Sequence, residues 1–266
     1  MDVQLLGGPR LSMADRSAVV ASRQVGRVLT MLALATGRVV STDQLIDELW
    51  GERRMTNPRN ALQANVARLR KVCEAVADRP GDAVVRTSPT GYLLDIPVES
   101  VDVCRFLALA DRAAGFVHSA PGAAVELLDR AMAVWPDLHL LPPGEGTRAE
   151  LAWAHLRERW LGAYEDLMSA KLAVGGDRVP IPELRQMVAA HGERERLSEL
   201  LMLALYREGR QAEALEVFHR VRRWLTGELG LEPGRGLHRV YRAILAQDAL
   251  IGEPHAACPA AGLGSV

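Results

Sequence analysis

Between Arg53 and Cys73 the chain carries six basic side chains (Arg53, Arg54, Arg59, Arg68, Arg70 and Lys71) and no acidic one. Asn60, Gln63 and Ala64 lie among them. Guanidinium and ammonium groups bind phosphate oxygens or guanine edges, amides read adenine, and a small residue lets the backbone come close. Those residue types suit nucleic acid, and the spacing agrees. On a helix through residues 57–76, Leu62, Val66, Leu69 and Cys73 recur at i, i+4, i+7 and i+11 and form one apolar side. Asn60, Ala64, Ala67 and Lys71 point the opposite way, with Gln63, Arg68 and Arg70 on the flanks. A solvated basic helix would show the same pattern, so the neighbouring elements must decide.

Those neighbours read as a small framework. Val3–Leu6 and Ala18–Ala21 are short apolar runs with strand character. Residues 24–36 carry Val25, Val28, Leu29, Leu32 and Ala33 at helical spacing, with Gly37 placed to cap the end. Ser41 and Gln44 form a capping-box pattern that opens a second helix, with Leu45, Ile46, Leu49 and Trp50 as its apolar stripe and Gly51 as its stop. Pro58 suits the first turn of the third helix. Residues 78–82 give a turn, residues 84–87 a strand, and residues 92–96 its returning partner. Small strands, three helices and a closing hairpin make a winged helix-turn-helix, with the third helix in the major groove. Arg86, Thr87 and Thr90 are then the wing contacts, although a Thr-rich hairpin can equally be only a hairpin.

The net charge of −1 hides an uneven distribution. Residues 1–96 hold 13 Lys/Arg against 10 Asp/Glu, and that excess is concentrated in the third helix and its approach, where a nucleic acid would sense it. Cys73, Cys104 and Cys258 are isolated from one another, which suggests a reducing compartment and no structural zinc. No signal-peptide pattern or membrane-length apolar run is present, so a cytosolic, nucleoid-associated protein is expected. The seven histidines have no metal-binding spacing, and neither a G-x-S-x-G nor a nucleophilic cysteine signature occurs. His191-Gly-Glu-Arg-Glu reads as a solvated helix start. No catalysis, metal or cofactor is expected.

After residues 96–100, read as a linker, nearly everything has helical period. Val103, Phe106, Leu107 and Ala110 lie on one helix, and Val125, Leu128, Ala131 and Met132 on the next. Residues 135–146, with three prolines, break the pattern, and residues 148–172 resume it. Trp153, Trp160, Tyr164, Tyr206 and Trp224 fall at helical spacings and are expected in the core, a small-molecule pocket being the alternative. Three more helices follow, split at residues 208–210 and 230–236. Ala214 and Phe218, following a short glycine turn, resemble the tetratricopeptide hairpin.

GRVVSTDQLIDELWG, ARLRK and TGYLL, in that order, resemble the winged-helix domain of response-regulator-type proteins, and more closely the Streptomyces antibiotic regulatory proteins. LYREGRQAEAL with ELGLEP resembles the bacterial transcriptional activation domain that follows the winged helix in the same family. The family carries a Trp followed by a Gly-Pro-rich segment where this chain has WPDLHLLPP. The resemblance implies a mainly α protein with a small β component, consisting of a winged helix (residues 1–98), an all-α tetratricopeptide-like activation domain (99–250) and a disordered tail (251–266). Because the winged helix starts at the first residues, no receiver domain is expected ahead of it, and without a G-x-x-x-x-G-K-[ST] no nucleotide site is expected. The resemblance also implies a transcription activator bound side by side, as a dimer or multimer, to direct repeats of promoter DNA and contacting RNA polymerase, to switch on antibiotic genes. Asn60, Gln63, Ala64 and Arg68 would read bases. Arg53, Arg54, Arg59, Arg70, Lys71 and the wing would grip phosphate. A helical-repeat scaffold and a ligand-sensing regulator are the alternative readings.

Overall fold

The structure, a computed structural model, describes residues 1–51, 55–77, 79–140, 147–175 and 179–248. Arg53, Arg54, the final tail and parts of the turns expected near residues 78, 141–146 and 176–178 lie outside the described residues. The chain packs as two compact units, Met1–Asp111 with Asp129–Leu161, and Arg112–Leu128 with everything from Gly162 on.

The first unit begins with an antiparallel meander, β1 (Asp2–Gln4), β2 (Arg10–Met13) and β3 (Arg16–Val19), with Val3 opposite Leu11 and Leu11 opposite Ala18. The sequence suggested only the outer two strands, and the second ended earlier than expected. β2 was hidden because only Leu11 of its four residues is buried. Next come α1 (Arg23–Leu34), β4 (Val40–Ser41), α2 (Thr42–Trp50) and α3 (Pro58–Val76). The capping box forms, with Ser41 Oγ accepting the Gln44 N–H at 3.1 Å and Gln44 Oε1 accepting the Ser41 N–H at 3.1 Å. Gly51 stops α2 with φ +52°. Asn57 caps α3 through its side chain, and Pro58 occupies the first turn. Leu62, Val66, Leu69 and Cys73 of α3 are fully buried or nearly so, and the helix packs on α1, α2, β2 and β3.

The expected turn near residue 80 contains one helical turn, α4 (Gly81–Val84). Glu74 Oε1 accepts the Gly81 N–H at 3.0 Å, and a side chain at Gly81 would run into the Arg70 backbone. β5 (Val85–Ser88) and β6 (Gly91–Leu94) then form the hairpin, in register Thr87 to Tyr92. β4 adds to β6, giving the order β4-β6-β5. A Cβ on Gly91 would overlap the Val40 carbonyl, so only glycine allows that third strand.

Three further helices, α5 (Asp102–Ala114), α6 (Pro121–Val134) and α7 (Thr147–Val174), begin the helical region. Within the first unit, buried Trp135 meets Phe106 edge-on at 5.0 Å between ring centroids, and its carbonyl accepts from Trp160 Nε1 at 2.9 Å. Two buried carboxylates join distant parts of this unit. Asp102 accepts the N–H groups of Leu5 and Leu6, each at 2.9 Å. Glu48 of α2 accepts those of Arg148 and Ala149, each at 3.0 Å, capping the first turn of α7.

The second unit includes α8 (Ile181–Ala190), α9 (Glu195–Arg207), α10 (Gln211–Trp224) and α11 (Arg235–Leu245). α9 packs on α8, α10 and α11. Gly209, at φ +74°, makes the α9–α10 turn. Ala214 and Phe218 are buried as the repeat pattern requires, and Phe218 stacks on Tyr241 with centroids 4.0 Å apart. Glu195 accepts the Gly234 N–H at 2.6 Å, and the Glu199 carboxylate fills the space where Gly236 would carry a side chain. Trp153, Trp160 and Tyr164 are buried as expected, while Tyr206 is half-buried. Trp224 is 37% exposed, contrary to the core assignment, because buried Leu225 closes the apolar stripe and leaves the indole on its shoulder. Among the described residues no helix is long and apolar enough to cross a membrane.

Removing Glu48 leaves two N–H groups at the head of α7 without their acceptor. Glu48→Ala is expected to cost about 2–3 kcal/mol in urea unfolding, and Glu48→Gln, which keeps one acceptor, less. Equal stability of wild type and Glu48→Ala would remove this cap from the structural account. Burial pushes the Cys73 thiol up to about 12, with the neighbouring Glu74 charge adding to it, so thiolate is scarce at neutral pH. Cys73 should therefore resist alkylation by iodoacetamide until the protein is unfolded, as followed by peptide mass spectrometry.

Candidate nucleic-acid interface

The buried stripe of α3 fixes what the other side presents. Arg59, Asn60, Gln63, Ala64, Ala67, Arg68 and Lys71 are all exposed. Asn60, Ala64, Ala67 and Lys71 form the centre of that face, at i, i+4, i+7 and i+11. Gln63 and Arg68 lie to either side of it. The alanines keep the surface shallow, which allows close approach of a base edge. Ala67 was placed on this face but not counted among the contact residues, since it has no polar group to announce it.

The cations are held to different degrees. Arg59 lies 3.9 Å from Asp43, with both side chains more than two-thirds exposed. A pair so open to water contributes little and does not hold the guanidinium against a competing phosphate. Arg68 Nη1 reaches Asn65 Oδ1 at 3.4 Å, a long bond to the one buried amide of the helix. Lys71 is exposed.

Arg70, expected to grip phosphate, is engaged within the protein. Its Nε and Nη2 donate to the Val85 carbonyl at 2.9 and 2.7 Å, and Nη2 also donates to Thr87 Oγ1 at 2.7 Å. The planar guanidinium thus clamps the wing to α3, which a lysine could not do in the same way. The clamp brings Thr87 beside α3. Thr90 lies at the hairpin tip, where its carbonyl accepts the Thr42 N–H at 2.9 Å. Arg86 pairs with Asp95 at 3.3 Å, both half or more exposed. Arg53 and Arg54 lie outside the described residues. The result is one continuous surface of amides, alanines and cations, with a hairpin at its side.

Two family models match the chain. Residues 16–94 match the transcriptional regulatory protein C-terminal family, and residues 101–245 match the bacterial transcriptional activator domain. Transcriptional regulator RedD of Streptomyces coelicolor is 40% identical, over 96% of this chain and 73% of that protein. Regulatory protein DnrI of Streptomyces peucetius is 32% identical over 93% of each. The chain belongs to the Streptomyces antibiotic regulatory protein family of transcription activators. A solved structure of EmbR from Mycobacterium tuberculosis, in complex with a low-affinity phosphopeptide, superposes with a TM-score of 0.83 at 29% identity. It covers 92% of this chain, which spans 65% of that one. Members of the antibiotic regulatory family are DNA-binding transcription regulators and not enzymes. The mainly α architecture of winged helix followed by tetratricopeptide-like helices is the one the sequence implied.

Arg70→Lys keeps the charge but not the two-point clamp. Amide exchange across Val85–Leu94 should speed up about tenfold or more, reflecting the roughly 1.5 kcal/mol or more contributed by hydrogen bonds to a charged group. Unchanged protection would mean that the wing is held without Arg70.

Proposed function

We propose that this protein binds direct repeats in promoter DNA and recruits RNA polymerase to activate antibiotic biosynthesis genes. In this reading residues 1–98 hold DNA and residues 99–250 supply the contact for polymerase. Copies lie side by side on one face of the duplex, one repeat each and about one helical turn apart. The observation that carries the proposal is the exposed face of α3, with Asn60, Ala64, Ala67 and Lys71 along its centre, Gln63 and Arg68 on its flanks and the wing fixed beside it. Asn60, Gln63, Ala64 and Arg68 read base edges. Arg59, Lys71, Arg86, Thr87 and Thr90 hold the backbone, together with Arg53 and Arg54 in the approach to α3. Arg70 contributes mainly by positioning the wing. The protein works in the cytoplasm, at the nucleoid.

The test is a fluorescence-anisotropy titration of the whole protein with duplex DNA from upstream of its own gene and with a scrambled duplex, at several salt concentrations. Lys71→Ala should weaken binding to both duplexes alike and lower the salt slope by about 1. Gln63→Ala should relax preference at one base position, at a cost of about 1–3 kcal/mol on the natural site. Equal losses on every sequence for both variants would overturn the division into readers and grips. Duplexes with one and two repeats test the side-by-side arrangement through cooperativity, and transcription with purified RNA polymerase tests recruitment.

A further inference from the structure

The second unit holds a cleft of about 350 Å3 between α8 and α10, floored by Leu201 of α9. That volume lies in the range of small-molecule pockets of roughly 300–1,000 Å3. One face of α10 lines it with Val217, Arg220, Val221 and Trp224, at i, i+3, i+4 and i+7. Arg220 and Trp224 are one helical turn apart, so a guanidinium and a half-exposed indole stand side by side over an apolar floor. Across the cleft, Gly192 lies against the indole, 3.8 Å from where its Cβ would be, and keeps that wall thin.

The charges around the rim are unequal in what they leave available. Arg185 is committed to Glu213, which Arg210 also holds. Glu193 is 60% exposed and lies 3.6 Å from His191 Nδ1. Arg220 has no hydrogen-bond or ion-pair partner among the described residues. A large aromatic left part-exposed beside an unmatched cation is a combination that folding alone does not require.

We propose that this cleft binds a small aromatic carboxylate. The ring lies against Trp224 above Val217, Val221 and Leu201, and the acid pairs with Arg220 in the bidentate geometry a guanidinium favours. Such a site gives the helical unit a ligand input separate from DNA, and it does not depend on the base-reading assignment above.

The test uses the full chain labelled with 5-fluorotryptophan, whose Trp224 resonance is assigned by Trp224→Phe. Indole-3-acetate and 2-naphthoate are the probes, and their amides are the uncharged controls. Saturable movement of the Trp224 resonance is expected with the acids, with about tenfold weaker binding of the amides. In Arg220→Gln the acid and its amide should bind alike. Ala189→Phe, on the exposed lip of the cleft, should block both while leaving the other tryptophan resonances in place. A Trp224 resonance unmoved by millimolar acid, equal binding of acid and amide to the wild type, or full binding to Ala189→Phe would each overturn the proposal. So would movement produced only by acidic, indole-bearing peptides, which would make the cleft a protein-docking surface.

Discussion

The whole exposed face of α3 depends on the burial of its other side. Leu62, Val66, Leu69 and Cys73 are the shared floor of two helices and the N-terminal sheet, and their removal from water fixes the rotation of a 19-residue helix about its own axis. Once that rotation is fixed, the polar face has no freedom left. Asn60, Gln63, Arg68 and Lys71 point outward because the apolar residues cannot. The wing follows from the same helix, since Arg70 reaches from its flank to the Val85 carbonyl and the Thr87 hydroxyl. Apolar burial therefore sets the orientation of that polar face, and a charge-assisted clamp holds the hairpin beside it.

The compact units do not follow the two family-matched stretches. The first unit takes in residues from both, and carboxylates join them. Asp102 holds the turn that follows β1, and Glu48 holds the start of α7. Both side chains are buried, yet neither is isolated, since each meets backbone N–H groups that would otherwise lack partners. Asp102 still has its pKa raised, burial outweighing the N–H groups of Leu6, Val103 and Leu5 that favour the charged form.

Elements with local signals were legible in the sequence. The capping box at Ser41 and Gln44, the stop at Gly51, Asn57-Pro58 at the start of α3 and the hairpin around Ser88–Gly91 all depend on residues within a few positions of one another. Strand β2 has a single buried residue and so no usable alternation, while α4 is one turn held by Glu74 from the preceding helix. Glu48, Arg70 and Asp102 could not be assigned their structural tasks because their partners lie 15 to about a hundred residues away. Arg70 was the instructive case. Its position and charge suited a phosphate contact, and only the fold showed that its Nε and Nη2 donate to Val85 and Thr87.

The discontinuity of the first unit also sets an order on synthesis. Glu48 leaves the ribosome about a hundred residues before the N–H groups it caps, and Asp102 almost as long after the turn it holds. A nascent chain that has just completed the hairpin at Leu94 has all of α3 but neither of these locks. Until α7 emerges, a buried-type carboxylate must remain hydrated, and the helix bearing it stays less firmly seated. The cap that joins α2 to α7 therefore closes only after Ala149 has been made.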